Sequence, residues 1–269
     1  MAADSTMDTE SPPGLVTGRP DAGVAFIAGG SGALGRAIAL QLAHEGSDIA
    51  FTYRRNEAAA IRLARDVTAL GCRVSFAAVT LEDAASVAGF VARVRVELGA
   101  IQSVIYSSGP SLRLEAIADI EPSRWAEVMN ADINGCFNLV QQTLPSVREC
   151  RGAYVAIITA AVDRYPARDA LSAVPKAAIE LLIRGLAKEE GRHGVRANCV
   201  APGWIDAGVG QHMLQHELSA DAAARVVKSI PLRRLGTPED VASITRFLLS
   251  SAAGYISGQT IAVDGGMQV

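Results

Sequence analysis

The segment Ala28-Gly29-Gly30-Ser31-Gly32-Ala33-Leu34-Gly35-Arg36 follows a short apolar run and opens a helical pattern. A glycine-rich turn between a strand and a helix is a cradle for pyrophosphate. Glycines let phosphate approach the backbone, and the helix N-terminus offers free N–H groups and the positive end of its dipole. The second apolar run ends in Phe51-Thr52-Tyr53-Arg54-Arg55-Asn56. An acid at such a tip binds the adenosine ribose hydroxyls, and this tip has none. Two guanidinium groups, Arg54 and Arg55, suit a 2′-phosphate instead. Turn and tip together point to NADP(H) rather than NAD(H).

Other candidate chemistry is weaker. His212 and His216 stand at i and i+4, a metal-ligand spacing, but no glutamate follows His212 and no third ligand is evident. No metal is therefore expected. The cysteines Cys72, Cys136, Cys150 and Cys199 form no CxxC motif, and the N-terminus has neither the basic nor the apolar region of a secretory leader. The expectation is reduced thiols in a cytoplasmic protein.

The elements that must hold these residues alternate. Apolar runs at 24–28, 49–52, 74–78, 104–106, 154–158, 195–200 and 260–263 are separated by helical patterns at 34–45, 57–70, 84–97, 123–149, 172–190 and 238–250. Nearly continuous apolar runs mark strands buried on both faces, and alternation with helices marks a parallel α/β sheet. Residues 1–22 carry no apolar period and read as a disordered tail before one domain over 23–269. The chain has 269 residues, 49% of them hydrophobic, which supplies a substantial core. Its 25 basic and 28 acidic side chains leave a net charge of −3, which argues against a nucleic-acid partner. No uncharged apolar stretch is long enough to span a membrane.

Over 24–266 the chain resembles the short-chain dehydrogenase/reductase family. The glycine turn is similar to the family's TGxxxGxG, with Ala28 for threonine and Ala33 for the middle glycine. Val195-Arg196-Ala197-Asn198-Cys199-Val200-Ala201-Pro202-Gly203 resembles its strand and Pro-Gly motif beside the nicotinamide. Arg234-Leu235-Gly236-Thr237-Pro238-Glu239-Asp240-Val241-Ala242, Tyr255-Ile256-Ser257-Gly258-Gln259-Thr260 and Val263-Asp264-Gly265-Gly266 are typical of its C-terminal part. The resemblance implies a single Rossmann-type, doubly wound domain with a seven-stranded parallel sheet, assembled as a homotetramer or homodimer. It implies cofactor contacts at Gly29, Ser31, Gly32, Ala33, Leu34, Gly35, Arg54, Arg55, Val79, Ser108, Gly109, Lys176, Pro202, Gly203 and Ile205.

The catalytic set departs from the family. Members place a tyrosine four residues before a lysine. The tyrosine protonates the substrate, the lysine lowers its pKa and holds the ribose, and a serine and an asparagine complete the set. Here the lysine is Lys176, and Ser172 stands in the tyrosine's place. Thr159 takes the serine's place and Asp132 the asparagine's, with Asn134 on another helix face. Tyr106-Ser107-Ser108-Gly109 replaces Asn-Asn-Ala-Gly, Ala78 the adenine-side aspartate, and Ala207 a threonine. A serine hydroxyl is a poor acid beside a phenol. Tyr165 and Asp169, before Lys176 on the preceding loop, are candidate donors, Asp169 if burial raises its pKa. Tyr106 is a candidate to face the nicotinamide. The segment near 204–230 reads as a substrate lid, with Trp204, Met213 and Leu214 facing a bulky apolar substrate.

Two readings follow. One is an NADPH-dependent reductase of a C=O, C=N or activated C=C bond with a non-standard proton donor. The other is a non-redox protein on the same fold: a cofactor-binding regulator, an inactive oligomer partner, or a lyase or cyclase. The coherent cofactor features favour the first.

Overall fold

An apolar run bounded by helices becomes a central strand because it can bury both of its faces. β1 (Val24–Ala28) and β5 (Ala153–Ile157) are buried at every residue, and β2 (Asp48–Tyr53) at its four inner ones. They join β3 (Val74–Ala78), β4 (Ile101–Tyr106), β6 (Arg196–Pro202) and β7 (Thr260–Val263). Among the described residues these form one seven-stranded parallel sheet in the order β3-β2-β1-β4-β5-β6-β7, the expected doubly wound architecture. The computed structural model describes residues 23–109 and 113–269; the tail expected over 1–22 lies outside the described residues.

The helices are α1 (Ala33–His44), α2 (Glu57–Ala69), α3 (Ala84–Glu97), α4 (Pro122–Met129), α5 (Gly135–Cys150), α6 (Ala170–Glu190), α7 (Gly208–His216), α8 (Ala220–Ser229) and α9 (Pro238–Leu249). α1, α2 and α9 cover one sheet face through Ile38, Leu42, Leu63 and Leu248, packed on Ile27 and Phe51. α3, α5 and α6 cover the other through Val91, Leu139 and Ile179, packed on Phe26 and Tyr154. Each such side chain, once buried, contributes about 1.5–3 kcal/mol against exposure.

Several bounds differ from expectation by one or two residues, and α7 and α8 lie where no helix was expected; three further departures have a physical cause. β4 starts at Ile101, not at 104. Gln102 and Ser103 hide the strand in sequence, yet Ser103 sits between Ala25 and Ala153 in the ladder. β6 runs over Arg196–Pro202 rather than 195–200. Arg196 is tolerated in this strand because its guanidinium donates to the carbonyls of Leu248, Leu249 and Ser250 at the end of α9. The long helix expected at 123–149 is α4 and α5 joined by a π-turn, Asn130–Asn134.

The chain leaves β1 toward β2 on one side, while β4 lies on its other side. Their C-terminal ends therefore open the crevice where open α/β sheets bind ligands.

Candidate active site

The glycine turn is tied into that crevice. Gly29 has φ +81°, a left-handed backbone, and a Cβ there would sit 2.7 Å from the Ser107 carbonyl oxygen. A methyl on Gly35 would run into the Gly29 carbonyl. Bare glycines thus let the turn, the end of β4 and the first turn of α1 approach one another. Thr52 anchors the turn: its Oγ1 accepts from Gly29 N at 3.1 Å and its carbonyl from Gly30 N at 2.9 Å. Sequence reasoning passed over Thr52, a hydroxyl at the last buried position of β2. α1 begins after Gly32 with no side-chain cap and no acid in its first turn. The amides of Ala33, Leu34 and Gly35 have no partner within the helix, which is the arrangement that binds an anion.

A cleft of about 210 Å³ opens here. Of the residues expected to contact a cofactor, Gly29, Ser31, Gly32, Arg54, Val79, Ser108 and Gly109 line it, together with Thr52, Tyr53, Leu81, Glu82, Tyr106, Ser107 and Ala131. Arg55 is exposed and outside the lining. Pro202, Gly203 and Ile205 also lie outside the lining, at the end of β6, where Gly203 N donates to Val263 O at 3.0 Å and Ile205 is buried. Glu82 was not predicted. Its Oε1 lies 3.4 Å from an Arg54 guanidinium nitrogen, and Asn138 steadies the segment by donating to Leu81 O at 3.0 Å. The only signal in sequence was an acid four residues past the end of β3. A glycine cradle, an open helix N-terminus and a guanidinium in one crevice fit a phosphorylated dinucleotide.

Deeper in, three side chains close on one another. Lys176 Nζ donates to Asp132 Oδ1 at 3.0 Å and to the Ser108 carbonyl at 2.9 Å. The Tyr106 hydroxyl donates to the same Asp132 Oδ1 at 2.6 Å. The Lys176 nitrogen also lies 5.0 Å from the centre of the Tyr106 ring. Asp132 is 2% exposed, so an unpaired charge there would be costly. Burial pushes the Tyr106 phenol well above its usual range, and the Asp132 carboxylate pushes it further. The π-turn carries Asp132 in this arrangement, while Asn134 bonds its own neighbour Asn130 at 2.7 Å. Asp132, expected as an altered polar position, is an ion-pair partner.

Asp169 is the N-cap residue of α6 but makes no side-chain cap bond. Burial pushes its carboxyl up to about 6, partly offset by a hydrogen bond from Ser172. Asp169, Ser172 and Lys176 stand at i, i+3 and i+7, one stripe of the helix. The Thr159 hydroxyl accepts from Ala161 N at 3.2 Å, which leaves its own proton free to donate. Tyr165 is 47% exposed on the loop after β5, outside the cleft lining. The expected lid consists of α7 and α8, and Glu217, just after α7, accepts from Leu114 N at 3.3 Å. Trp204, Met213 and Leu214 are half-buried in this region. The rings of His212 and His216 pack on each other at 4.8 Å.

Comparison with known proteins matches residues 28–268 to a family model described as enoyl-(acyl carrier protein) reductase. A 3-oxoacyl-[acyl-carrier-protein] reductase FabG of Chlamydia muridarum is 31% identical over 245 residues, 90% of this chain and 96% of the relative. A solved short-chain dehydrogenase/reductase from Serratia marcescens superposes with a TM-score of 0.86 at 25% identity, over 93% of this chain and 100% of that one. A blue fluorescent protein from a metagenomic library, solved in complex with NADPH, gives a TM-score of 0.85 at 28% identity, over 93% and 100% of the two chains.

Proposed function

The chain belongs to the short-chain dehydrogenase/reductase family, and from that premise we propose an NADPH-dependent reductase acting on a C=O, C=N or activated C=C bond of a bulky small molecule. The observation that carries the reading is the crevice itself, where the open N-terminus of α1, the Gly29 cradle and the Arg54 guanidinium converge. The NADPH complex of the metagenomic relative and the reductase names of the FabG relatives support it.

In this reading Gly29, Ser31 and Gly32 and the amides of Ala33, Leu34 and Gly35 hold the pyrophosphate. Arg54 takes the 2′-phosphate and Val79 packs on the adenine. Ser108, Gly109, Lys176, Pro202, Gly203 and Ile205 bound the nicotinamide end. When bound, NADPH supplies the hydride. Thr159 donates a hydrogen bond to the acceptor atom. Ser172 alone is too weak an acid, whereas the Asp169 carboxyl, pushed up to about 6, is poised to exchange protons near neutral pH. Asp169 working with Ser172 is thus the non-standard proton donor. Trp204, Met213 and Leu214 form the apolar wall for a bulky substrate.

The partner is a small molecule, with no role for nucleic acid. Among the described residues no helix is long and apolar enough to cross a membrane, and we assign the protein to the cytoplasm. Phe137 on α5 and Val174 and Leu181 on α6 are exposed. These residues are the seam of a homodimer or homotetramer.

The test is a titration with NADPH and with NADH, read by reduced-nicotinamide fluorescence. Tight NADPH and weak NADH binding are expected. Binding of neither would overturn the reading and favour a non-redox protein. Ser172→Tyr, which restores the family's phenol, should raise reduction of simple ketones by about 10²-fold or more, the usual contribution of a positioned acid.

A further inference from the structure

Hydride delivered to a neutral carbonyl leaves negative charge on oxygen. A site suited to that outcome offers an uncommitted cation and an acidic O–H. The groups here are arranged otherwise. The Lys176 ammonium is held by the Asp132 carboxylate at 3.0 Å and the Ser108 carbonyl at 2.9 Å. Both side chains are withdrawn from water, with 11% and 2% exposure for Lys176 and Asp132. The Tyr106 hydroxyl, whose ring centre lies 5.0 Å from this lysine, donates its hydrogen bond to the same carboxylate at 2.6 Å. Cation and phenol are therefore both committed inside the protein. Asp169 adds a second carboxylate on the α6 stripe that carries Ser172 and Lys176. The Lys176 ammonium is already neutralised by Asp132, and Asp169, hydrogen-bonded by Ser172, adds a carboxylate beside the position that carries the family's tyrosine, so the local balance opposes a developing alkoxide and favours a positive charge.

We propose that the substrate is an iminium ion, a protonated or N-alkylated C=N, with Asp169 as its counter-ion. This rests on the reductase reading above and names the substrate class for it. The balance of the step suits the residues present. Hydride from the reduced nicotinamide forms a C–H bond at the iminium carbon. The C=N π pair moves onto nitrogen, the positive charge disappears, and a neutral amine remains. The nicotinamide is oxidised by two electrons and the carbon reduced by two. No proton is consumed in that step, so the missing tyrosine has no task to perform. A neutral imine can take its proton beforehand from the Asp169 carboxyl, which then remains beside it as carboxylate.

The experiment uses the full chain and matched pairs that differ in charge but hardly in shape. For turnover these are N-methyl-3,4-dihydroisoquinolinium against 1-tetralone, and the smaller N-methyl-1-pyrrolinium against cyclopentanone. NADPH oxidation is followed above the protein-free rate. For binding without turnover, calorimetry compares N-methylisoquinolinium with 1-tetralone in the presence of NADP+. At least one iminium should be reduced with kcat/KM about 100-fold or more above its ketone partner. The aromatic cation should bind about 10-fold or more tighter than the ketone. Asp169→Asn should erase that binding preference while leaving the NADPH Kd unchanged. Asp132→Asn, which leaves Lys176 uncompensated, should shift the turnover ratio toward the ketone. The proposal is overturned if ketone and iminium react equally, if neither iminium reacts in a chain that binds NADPH, or if cation and ketone bind alike. Failure to bind NADPH at all would instead bring down the reductase reading beneath it.

Discussion

Asp169 sits half-buried at the start of α6 with its carboxyl pushed up to about 6 by desolvation. A carboxyl whose folded pKa exceeds its unfolded value binds a proton more tightly when folded. Stability is then greatest below the unfolded pKa of about 4 and is lost as pH rises toward 6. At neutral pH the ionised group is a net cost. Its full shift corresponds to about 3 kcal/mol, reduced here to about 1–2 kcal/mol because water still reaches the group. Asp169→Asn removes that cost without losing a cap bond, since Asp169 makes none. We expect its Tm to exceed that of the parent by about 2–6 °C at pH 7.5 and to match it at pH 4, read by calorimetry. A parent curve that does not fall between pH 4 and 6.5 relative to the variant refutes this. Arg54 and Glu82 make a second prediction. Their ion pair at 3.4 Å means that, in the proposed cofactor reading, a 2′-phosphate would share the guanidinium with a carboxylate. Arg54→Gln should weaken NADPH by about 10-fold or more and leave NADH unchanged. Glu82→Gln should tighten NADPH by about two- to five-fold, the scale of an exposed pair. Fluorescence titration of both nucleotides checks each change.

The elements bring these side chains within reach, and two of them do so through local departures from regularity. The first turn of α1 rests directly on the glycine turn. A methyl at Gly35 would meet the Gly29 carbonyl and approach Gly30 Cα to 2.9 Å, so one of them must move. Gly35→Ala should therefore lower NADPH affinity by about 10-fold or more while far-UV circular dichroism stays the same, the cost lying in the range of overpacking. An unchanged Kd would show that the turn tolerates the displacement. The second departure is the π-turn at Asn130–Asn134. Residue periodicity between 123 and 149 reads as one helix, because a single wide turn shifts the register without altering which residue types are apolar. The glycine turn was legible, since glycine identity itself reports the backbone it permits. The Asp132–Lys176 pair was not, since the two lie on different helices, 44 residues apart.

For the entire chain, the exposed apolar residues on α5 and α6 matter most. Leu181 is 70% exposed, Phe137 49% and Val174 40%, all on the sheet face covered by α3, α5 and α6. If this is the assembly seam, Leu181→Glu combined with Phe137→Glu should yield monomers by size-exclusion chromatography with light scattering, with the fold retained. A parent chain already monomeric at micromolar concentration would refute the seam. The alternation of apolar runs and helical patterns was enough to specify a parallel doubly wound sheet, because strand burial on both faces and helix amphipathicity are written in local residue order. The glycine turn and Arg54 were legible as residue types at strand ends, and both line one cleft. What the order of residues left open was which groups meet across the fold. Glu82 reaches Arg54 from another strand end, Thr52 holds the turn from β2, and Tyr106, Asp132 and Lys176 converge from β4, the π-turn and α6. Charge pairing and desolvation depend on distances through space, and only the packed sheet and its helix layers set those distances.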